Sequence, residues 1–425
     1  MALQLYPHQE RARDFGRSRK WVLLGDEMGL GKSLEALSIV LPHSGNKLIV
    51  VPAYLKLTWK KEIEKWFPET EIGIVTHGKS KYTLGKDAVY VTSYELLKHC
   101  EIFPTSVIFD ECHYLKNLKA KRTQIAHDFV LVNRPEYCIG LSGTPIKNDP
   151  TEFYSILKLL SYCPSNTNGI RVMEKSQYAF NIRFSHPVSR TIHTPNGAMQ
   201  ITEFRGIRNL DRLKAYLKGK YLRRLTNAVI DLPPLIEKEV FISQRKTKQH
   251  LKLVEAFMAH EDGEKSEHIM SVKIDNAVEK TGFTLAYVLD MLEQGEPVIV
   301  FTDHLEPCRI LYEALKSKQI KVGAISGKVN PTKRIEMVDA FQDGKLDVLV
   351  CTIPAASVGL TITRAKNMVF NDIPWGWVDL QQAIKRIHRI GQDARCVIHF
   401  IFGSDIDKWL LGKVRDKEAL LKQVL

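Results

Sequence analysis

Lys32 and Ser33 close the stretch Gly25-Asp26-Glu27-Met28-Gly29-Leu30-Gly31-Lys32-Ser33. The apolar run Trp21 to Leu24 precedes it and the apolar-periodic segment Leu34 to Val40 follows, so it reads as a glycine-rich turn between a strand and a helix. Such a turn aims several backbone N–H groups at one point, at the positive end of a helix, which suits a chain of phosphates. Lys32 would reach the β- and γ-phosphates, and the Ser33 hydroxyl would hold Mg²⁺. Asp26 stands where the strict phosphate-loop pattern has glycine.

Other residues gain meaning from this turn. Asp110 and Glu111 end the apolar run that starts at Ser106, and adjacent carboxylates at a buried strand's end are costly unless they meet a cation or a proton in transit. Asp110 can hold Mg²⁺ through its water shell, and Glu111 can polarise an attacking water. Ser142 and Thr144, in Leu-Ser-Gly-Thr-Pro, follow a third apolar run; their hydroxyls can bond those carboxylates and report a γ-phosphate. Gln9, with an amide that both donates and accepts, can clamp an adenine edge. Arg386 and Arg389, three apart in a segment read as helical, share a face and can stabilise charge on a γ-phosphate.

Positioning these groups takes parallel sheets. Short apolar runs near Lys47, Ala88, Ser106 and Cys138 alternate with amphipathic segments, and a second series follows at Pro297, Lys321, Asp347 and Cys396. Alternation of this kind predicts two α/β units, each with its functional loops at the carboxyl ends of its strands. The second unit has no phosphate loop, so its arginines would act across a cleft. Paired prolines at Pro233 and Pro234 put the link there: residues 1–232 form the first lobe, with a helical insert at about 160–230, and 235–425 the second. Arg223 and Arg224, just before the link, fit either a functional basic pair or a solvated helix face. At strand ends, Pro52, Thr92, Ser93, Tyr94, Ser326 and Thr352 are candidates for a nucleic-acid backbone, or equally for turns and caps.

Composition narrows the class. With 44% apolar and 26% charged residues over 425 positions the chain is a folded globular protein of two or three domains. Lysine and arginine exceed the acids by 61 to 48, a net charge of +13 and a pI near 9.2, which favours a polyanionic partner. Seven scattered cysteines without a CxxC pair read as reduced core thiols. No apolar run is long enough to span a membrane, and the first residues lack a secretion signal, so an intracellular place is expected: a bacterial or virus-infected cytoplasm, or a nucleus.

Taken in order, GDEMGLGKS, DECH with Tyr-Leu-Lys-Asn, LSGTP and QQAIKRIHRIGQ resemble the Swi/Snf-type branch of the superfamily-two helicase-like ATPases, from about Leu5 to Phe402. The resemblance implies two RecA-like lobes with helical protrusion inserts, ATP and Mg²⁺ as cofactors, and translocation on double-stranded or forked DNA. It makes Arg386 and Arg389 arginine fingers with Gln382 in support, puts His113 with Ser142 and Thr144 in coupling, and adds Gly359 to the nucleotide site. Asp at position 26 is common in that family. Lys385 replaces its usual acidic residue, and Gly359, Leu360 and Thr361 lean towards its annealing-helicase subgroup. A strand-separating helicase and an ATP-dependent clamp on DNA are the alternatives.

Overall fold

The structure, a computed structural model, describes residues 4–76, 85–146, 150–162, 176–194, 197–242, 267–356 and 361–424. It divides into two compact units, Met1–Val229 with Ala419–Leu425 and Ile230–Glu418.

The first unit is built on strands β1 (Trp21–Leu24), β2 (Lys47–Val51), β3 (Ile72–Ile74), β4 (Val89–Ser93), β5 (Ser106–Asp110), β6 (Tyr137–Leu141) and the short β9 (Tyr221–Leu222). They form one parallel sheet in the order β3-β4-β2-β5-β6-β1-β9. Helices α1 (Pro7–Arg19), α2 (Lys32–Val40), α3 (Lys56–Trp66), α4 (Lys121–Asn133) and α5 (Phe153–Leu160) accompany it. Strands β1, β2, β4 and β6 are buried at every position, as continuous apolar runs in a sheet covered on both faces should be.

Register carries the functional consequence. Leu24 pairs with Leu141 and with Leu222, and Asp110 pairs with Leu141. The residues that follow, Gly25, Glu111, Ser142 and Arg223, therefore leave four neighbouring strands at one level of one rim. Parallel sheets collect sites at this rim because every chain exits its strand there.

The insert is mixed rather than helical. Between α6 (Gln177–Phe184) and α7 (Leu210–Leu217) lies an antiparallel hairpin, β7 (His186–Thr194) with β8 (Gly197–Arg205). Pro195-Asn196-Gly197 between alternating β-branched and polar residues is the sequence signal for it, and Gly197, at φ +116°, takes a conformation open to glycine.

The second unit carries a six-stranded parallel sheet in the order β10-β15-β14-β11-β13-β12. Its strands are β10 (Leu235–Phe241), β11 (Val298–Thr302), β12 (Val322–Ile325), β13 (Val348–Thr352), β14 (Asn367–Phe370) and β15 (Cys396–Phe402). Val298, Val300, Val348, Val350, Val369 and Ile401 pack with Val288, Leu311 and Leu315 from the flanking helices; each such side chain stabilises the fold by about 1.5–3 kcal/mol. Lys280 is buried as well, its ammonium satisfied by Asp407 Oδ1 at 2.6 Å and Ile401 O at 3.0 Å. Among the described residues, no helix is long and apolar enough to cross a membrane.

Candidate nucleotide site

Gly29 and Gly31 take φ of 90° and 86°, and α2 begins at Lys32, so the turn after β1 is a left-handed glycine loop running into a helix start. A Cβ on Gly31 would lie 2.4 Å from Gln9 Nε2. Gln9 is itself part of the scaffold: Nε2 donates to Leu30 O at 3.2 Å and Oε1 accepts from Tyr6 N at 3.1 Å. Lys32 Nζ turns onto its own loop, donating to Asp26 O at 2.7 Å and Glu27 O at 3.2 Å. Burial lowers its pKa, while Glu111, Asp26, Glu35 and Asp110 pull the other way. Ser33 follows in the first turn of α2, half-buried.

The Asp26 and Glu27 side chains bond the segment around Arg224. The Asp26 carboxylate is buried and meets the Arg224 guanidinium: Nε lies 3.2 and 3.0 Å from its two oxygens, and Nη2 closes the pair. Nη2 also lies 3.3 Å from Glu35 Oε1, whose pKa is raised well above the usual range by burial and then by Asp26. Arg224 Nη1 donates to His8 O. Glu27 takes Thr226 N on its carboxylate at 2.7 Å, and its own N–H bonds Arg224 O at 2.9 Å. At position 26 a carboxylate stands in place of glycine and is buried, and a buried carboxylate needs a cation. Arg223 does parallel work, Nη1 donating at 2.9 Å to both Gly25 O and Gly143 O. Met28 packs beside Gly143, where a Cβ would lie 2.6 Å from its Cγ and 3.2 Å from Lys32 Nζ.

The carboxylates stand next along the rim. Asp110 Oδ2 accepts from Trp59 Nε1 at 2.7 Å and Oδ1 from Glu111 N at 2.9 Å. Burial, then the neighbouring Glu111, raises Asp110 to about 7, against those two donors and Lys32. Glu111 takes φ 49°, ψ 49°, a left-handed conformation costing a side-chain-bearing residue about 1–3 kcal/mol. Its Oε2 lies 3.2 Å from His113 Nδ1, which lies 3.2 Å from Ser142 Oγ. Ser142 thus reaches a carboxylate through His113 rather than directly. Thr144 reaches neither carboxylate: its N–H donates to Ser142 Oγ at 3.3 Å, and its buried hydroxyl has no partner among the described residues.

The donor set fits ATP with Mg²⁺. A glycine cradle, an ammonium bonded to loop carbonyls, an orphaned hydroxyl and a carboxyl raised by its own burial and its acidic neighbour each gain when phosphate and a cation arrive.

The remaining candidates divide. The helix Trp377–Ile384 carries Gln382, buried, but ends before the arginines. Arg386 and Arg389 lie in turns past that helix, where three-residue bonds, Arg386 N to Ala383 O (3.0 Å) and Ile387 N to Ile384 O (3.2 Å), mix with a four-residue one, His388 N to Ile384 O (3.2 Å). Pro52, Thr92, Ser93, Tyr94, Ser326 and Thr352 are all buried. Tyr94 donates its hydroxyl to Asp110 O at 2.7 Å. Gly359 lies outside the described residues.

A model of the SNF2-related domain matches residues 8–282, and one of the helicase conserved C-terminal domain matches residues 283–391. The chain belongs to the SNF2-related family. It is similar to the human DNA annealing helicase and endonuclease ZRANB3, 28% identical over 99% of this chain and 40% of that one. It is equally similar, at 28% identity, to the Xenopus tropicalis SWI/SNF-related matrix-associated actin-dependent regulator of chromatin subfamily A-like protein 1, over 99% of this chain and 45% of that one. This SNF2-related chain therefore spans less than half the length of these curated relatives. Among solved structures, the Sulfolobus solfataricus SWI2/SNF2 ATPase core in complex with dsDNA is 20% identical over 100% of this chain and 97% of that one, with a TM-score of 0.45.

One contributor to the SNF2-related site escapes a reading of motifs. Trp59 sits 51 residues before Asp110, with nothing local to mark it. Arg223 and Arg224 were legible as a basic pair, and Asp26 was the missing clue, since an acid in a buried loop calls for a cation elsewhere in the chain.

Proposed function

We propose that this SNF2-related chain is an ATP-dependent translocase or remodeller of double-stranded or forked DNA. What carries the reading is the register that brings Lys32, Asp110, Glu111, His113 and Ser142 to one rim, in a chain of net charge +13 from a helicase-like ATPase family. ATP with Mg²⁺ supplies the transferable phosphoryl group and the charge that compensates it. The loop amides and Lys32 hold the phosphates, and Ser33 and Asp110 hold the cation. Glu111, turned by its left-handed backbone and steadied by His113, takes the proton of the attacking water. Ser142 and Thr144 sense the terminal phosphate, and Arg386 and Arg389 take the arginine-finger part. The relative named an annealing helicase favours duplex or forked DNA over strand separation.

Steady-state ATP hydrolysis at moderate salt tests this, alone and with single-stranded, double-stranded and forked DNA, with Lys32→Ala as control. Stimulation by duplex or forks that vanishes in the control is expected. Stimulation by single strands alone would turn the reading to an unwinding helicase, and none by any DNA would overturn it.

A further inference from the structure

The insert of the first unit concentrates charge. Between Ser176 and Lys220 the sequence has eight lysines and arginines and two acids, Glu203 and Asp211, so about a tenth of the chain carries nearly half of its excess of +13. One of the acids is already matched: Glu203 Oε2 accepts from Arg205 at 2.8 and 3.2 Å, and Oε1 lies 3.5 Å from Arg190.

The segment is rooted firmly. Phe180 and Phe184 of α6, with ring centroids 4.7 Å apart, lie against Tyr216 of α7 and Tyr154 of α5, and Phe204 at the hairpin's base meets Tyr178 edge-on at 5.8 Å. His186 on Ile207 O at 3.2 Å and Asn209 on Arg183 O at 2.7 Å close the base. Residues 186–191 and 197–200 are exposed, Val188 at 40% and Met199 at 51%. Nine residues per strand give it a reach of about 30 Å.

Register sorts the side chains. His186, Val188 and Arg190 face the same side as Arg205, Glu203 and Ile201, so both arginines of the hairpin share one face. Arg208, Arg212, Lys214 and Lys218 extend exposed positive charge along the base and α7. Glu203 lies between the two arginines on that face and offsets one of their two charges, so the exposed arm and α7 together keep a net positive charge. A helical phosphate backbone offers charges at a spacing that several guanidiniums can meet, and it can draw the arginines from their shared carboxylate.

We propose that the hairpin His186–Arg205 with the outer face of α7 is a DNA-backbone contact surface, separate from the strand-end loops of either sheet. The inference rests on the DNA reading above and adds a place for the DNA to bind. Arg190 and Arg205 hold phosphates from the arm, and Lys214 and Lys218 continue the track.

The test is duplex-DNA binding by the full chain, followed by fluorescence anisotropy from low to moderate salt, for wild type, Arg190→Glu/Arg205→Glu and Lys214→Gln/Lys218→Gln. Each double variant should flatten the slope of log affinity against log salt by about two, one per lost contact. The first, which also adds repulsion, should weaken binding at least tenfold. Unchanged slope and affinity in both variants, beside a wild type that binds, would overturn this surface and leave the DNA reading standing. A wild type that binds no DNA would overturn that reading instead, and this inference with it. Because all four side chains are exposed, circular dichroism should match wild type; should one pair fail to fold, the other decides.

Discussion

The rim after β1 and the arginine segment after Gln382 present their chemistry in different ways. At the rim, side chains are fixed by other side chains and by loop carbonyls: Asp110 by Trp59, Asp26 by Arg224, Lys32 by the loop itself. In the arginine segment the main chain is fixed. Arg386 O accepts from Ile362 N at 3.0 Å, His388 Nε2 lies 2.9 Å from Pro233 O, and Gln392 Nε2 donates to Thr363 O, Ala365 O and Ile387 O within 3.2 Å. At the first region the bonds run to functional side-chain atoms; in the second they run to the backbone that carries Arg386, itself buried, and Arg389. Mutations should therefore act on chemistry, on local stability and on fine positioning in separable amounts.

The largest effect should come from the arginine segment. Arg389→Ala is expected to lower ATP turnover about a thousandfold or more while changing ATP affinity little, as removal of an arginine finger does. Turnover beside equilibrium binding of labelled ATP checks it. Equal losses in both would make Arg389 a ground-state contact and erase the contrast.

Next in size, Glu111→Gln should cost roughly a hundred- to a thousandfold in turnover, since the proton acceptor is lost but the backbone turn is kept. Lys32→Ala should match it in turnover and also weaken ATP binding. Single-turnover hydrolysis separates the two. Near-wild-type rates in Glu111→Gln would remove the carboxylate from the chemistry.

Arg224→Met addresses stability at the rim. It leaves Asp26 and Glu35 buried without their cation, and should destabilise the first unit by about 3 kcal/mol; adding Asp26→Asn should return most of that, because breaking a buried pair costs more than replacing it. Urea unfolding of the three variants measures the cycle. A silent Arg224→Met would mean that the loop holds its shape from Gln9 and the glycines alone. Arg224 precedes the second unit by only a few residues of chain, so the same variant asks whether the phosphate loop is fastened to the linking segment.

How much could be read from the sequence follows the same division. The parallel sheets, the glycine turn and the acidic pair were legible because each is local: an apolar run ends, and the functional residue comes next. The burial of Thr92 and Tyr94 was not legible, because a hydroxyl at a strand's end looks the same whether its loop opens to solvent or folds under the sheet, and only packing decides. Arg386 and Arg389 were placed on a helix because a three-residue spacing fits a helix and a tight turn alike. The hairpin was hidden in a stretch of weak periodicity, although Pro195-Asn196-Gly197 carried its signal. Trp59 had no signal, because its partner is remote and its indole N–H is an ordinary donor until a carboxylate is seen beside it.

That indole gives the smallest and sharpest prediction. Trp59→Phe keeps an aromatic ring in a buried position but removes one of the two donors to Asp110. A hydrogen bond to a charged acceptor is worth about 1.5–3 kcal/mol, and part of it is recovered by rotation or water, so kcat/KM for ATP should fall about tenfold with the fold intact. The loss should shrink as Mg²⁺ is raised, since the variant's fault is a poorly aimed cation-holding carboxylate rather than a missing group. A titration of turnover against Mg²⁺ reads this directly. If the deficit stays constant at all Mg²⁺ levels, Trp59 supports the packing of β5 and not the aim of Asp110; if there is no deficit, the Glu111 N–H suffices and the rim is less preorganised than its distances imply.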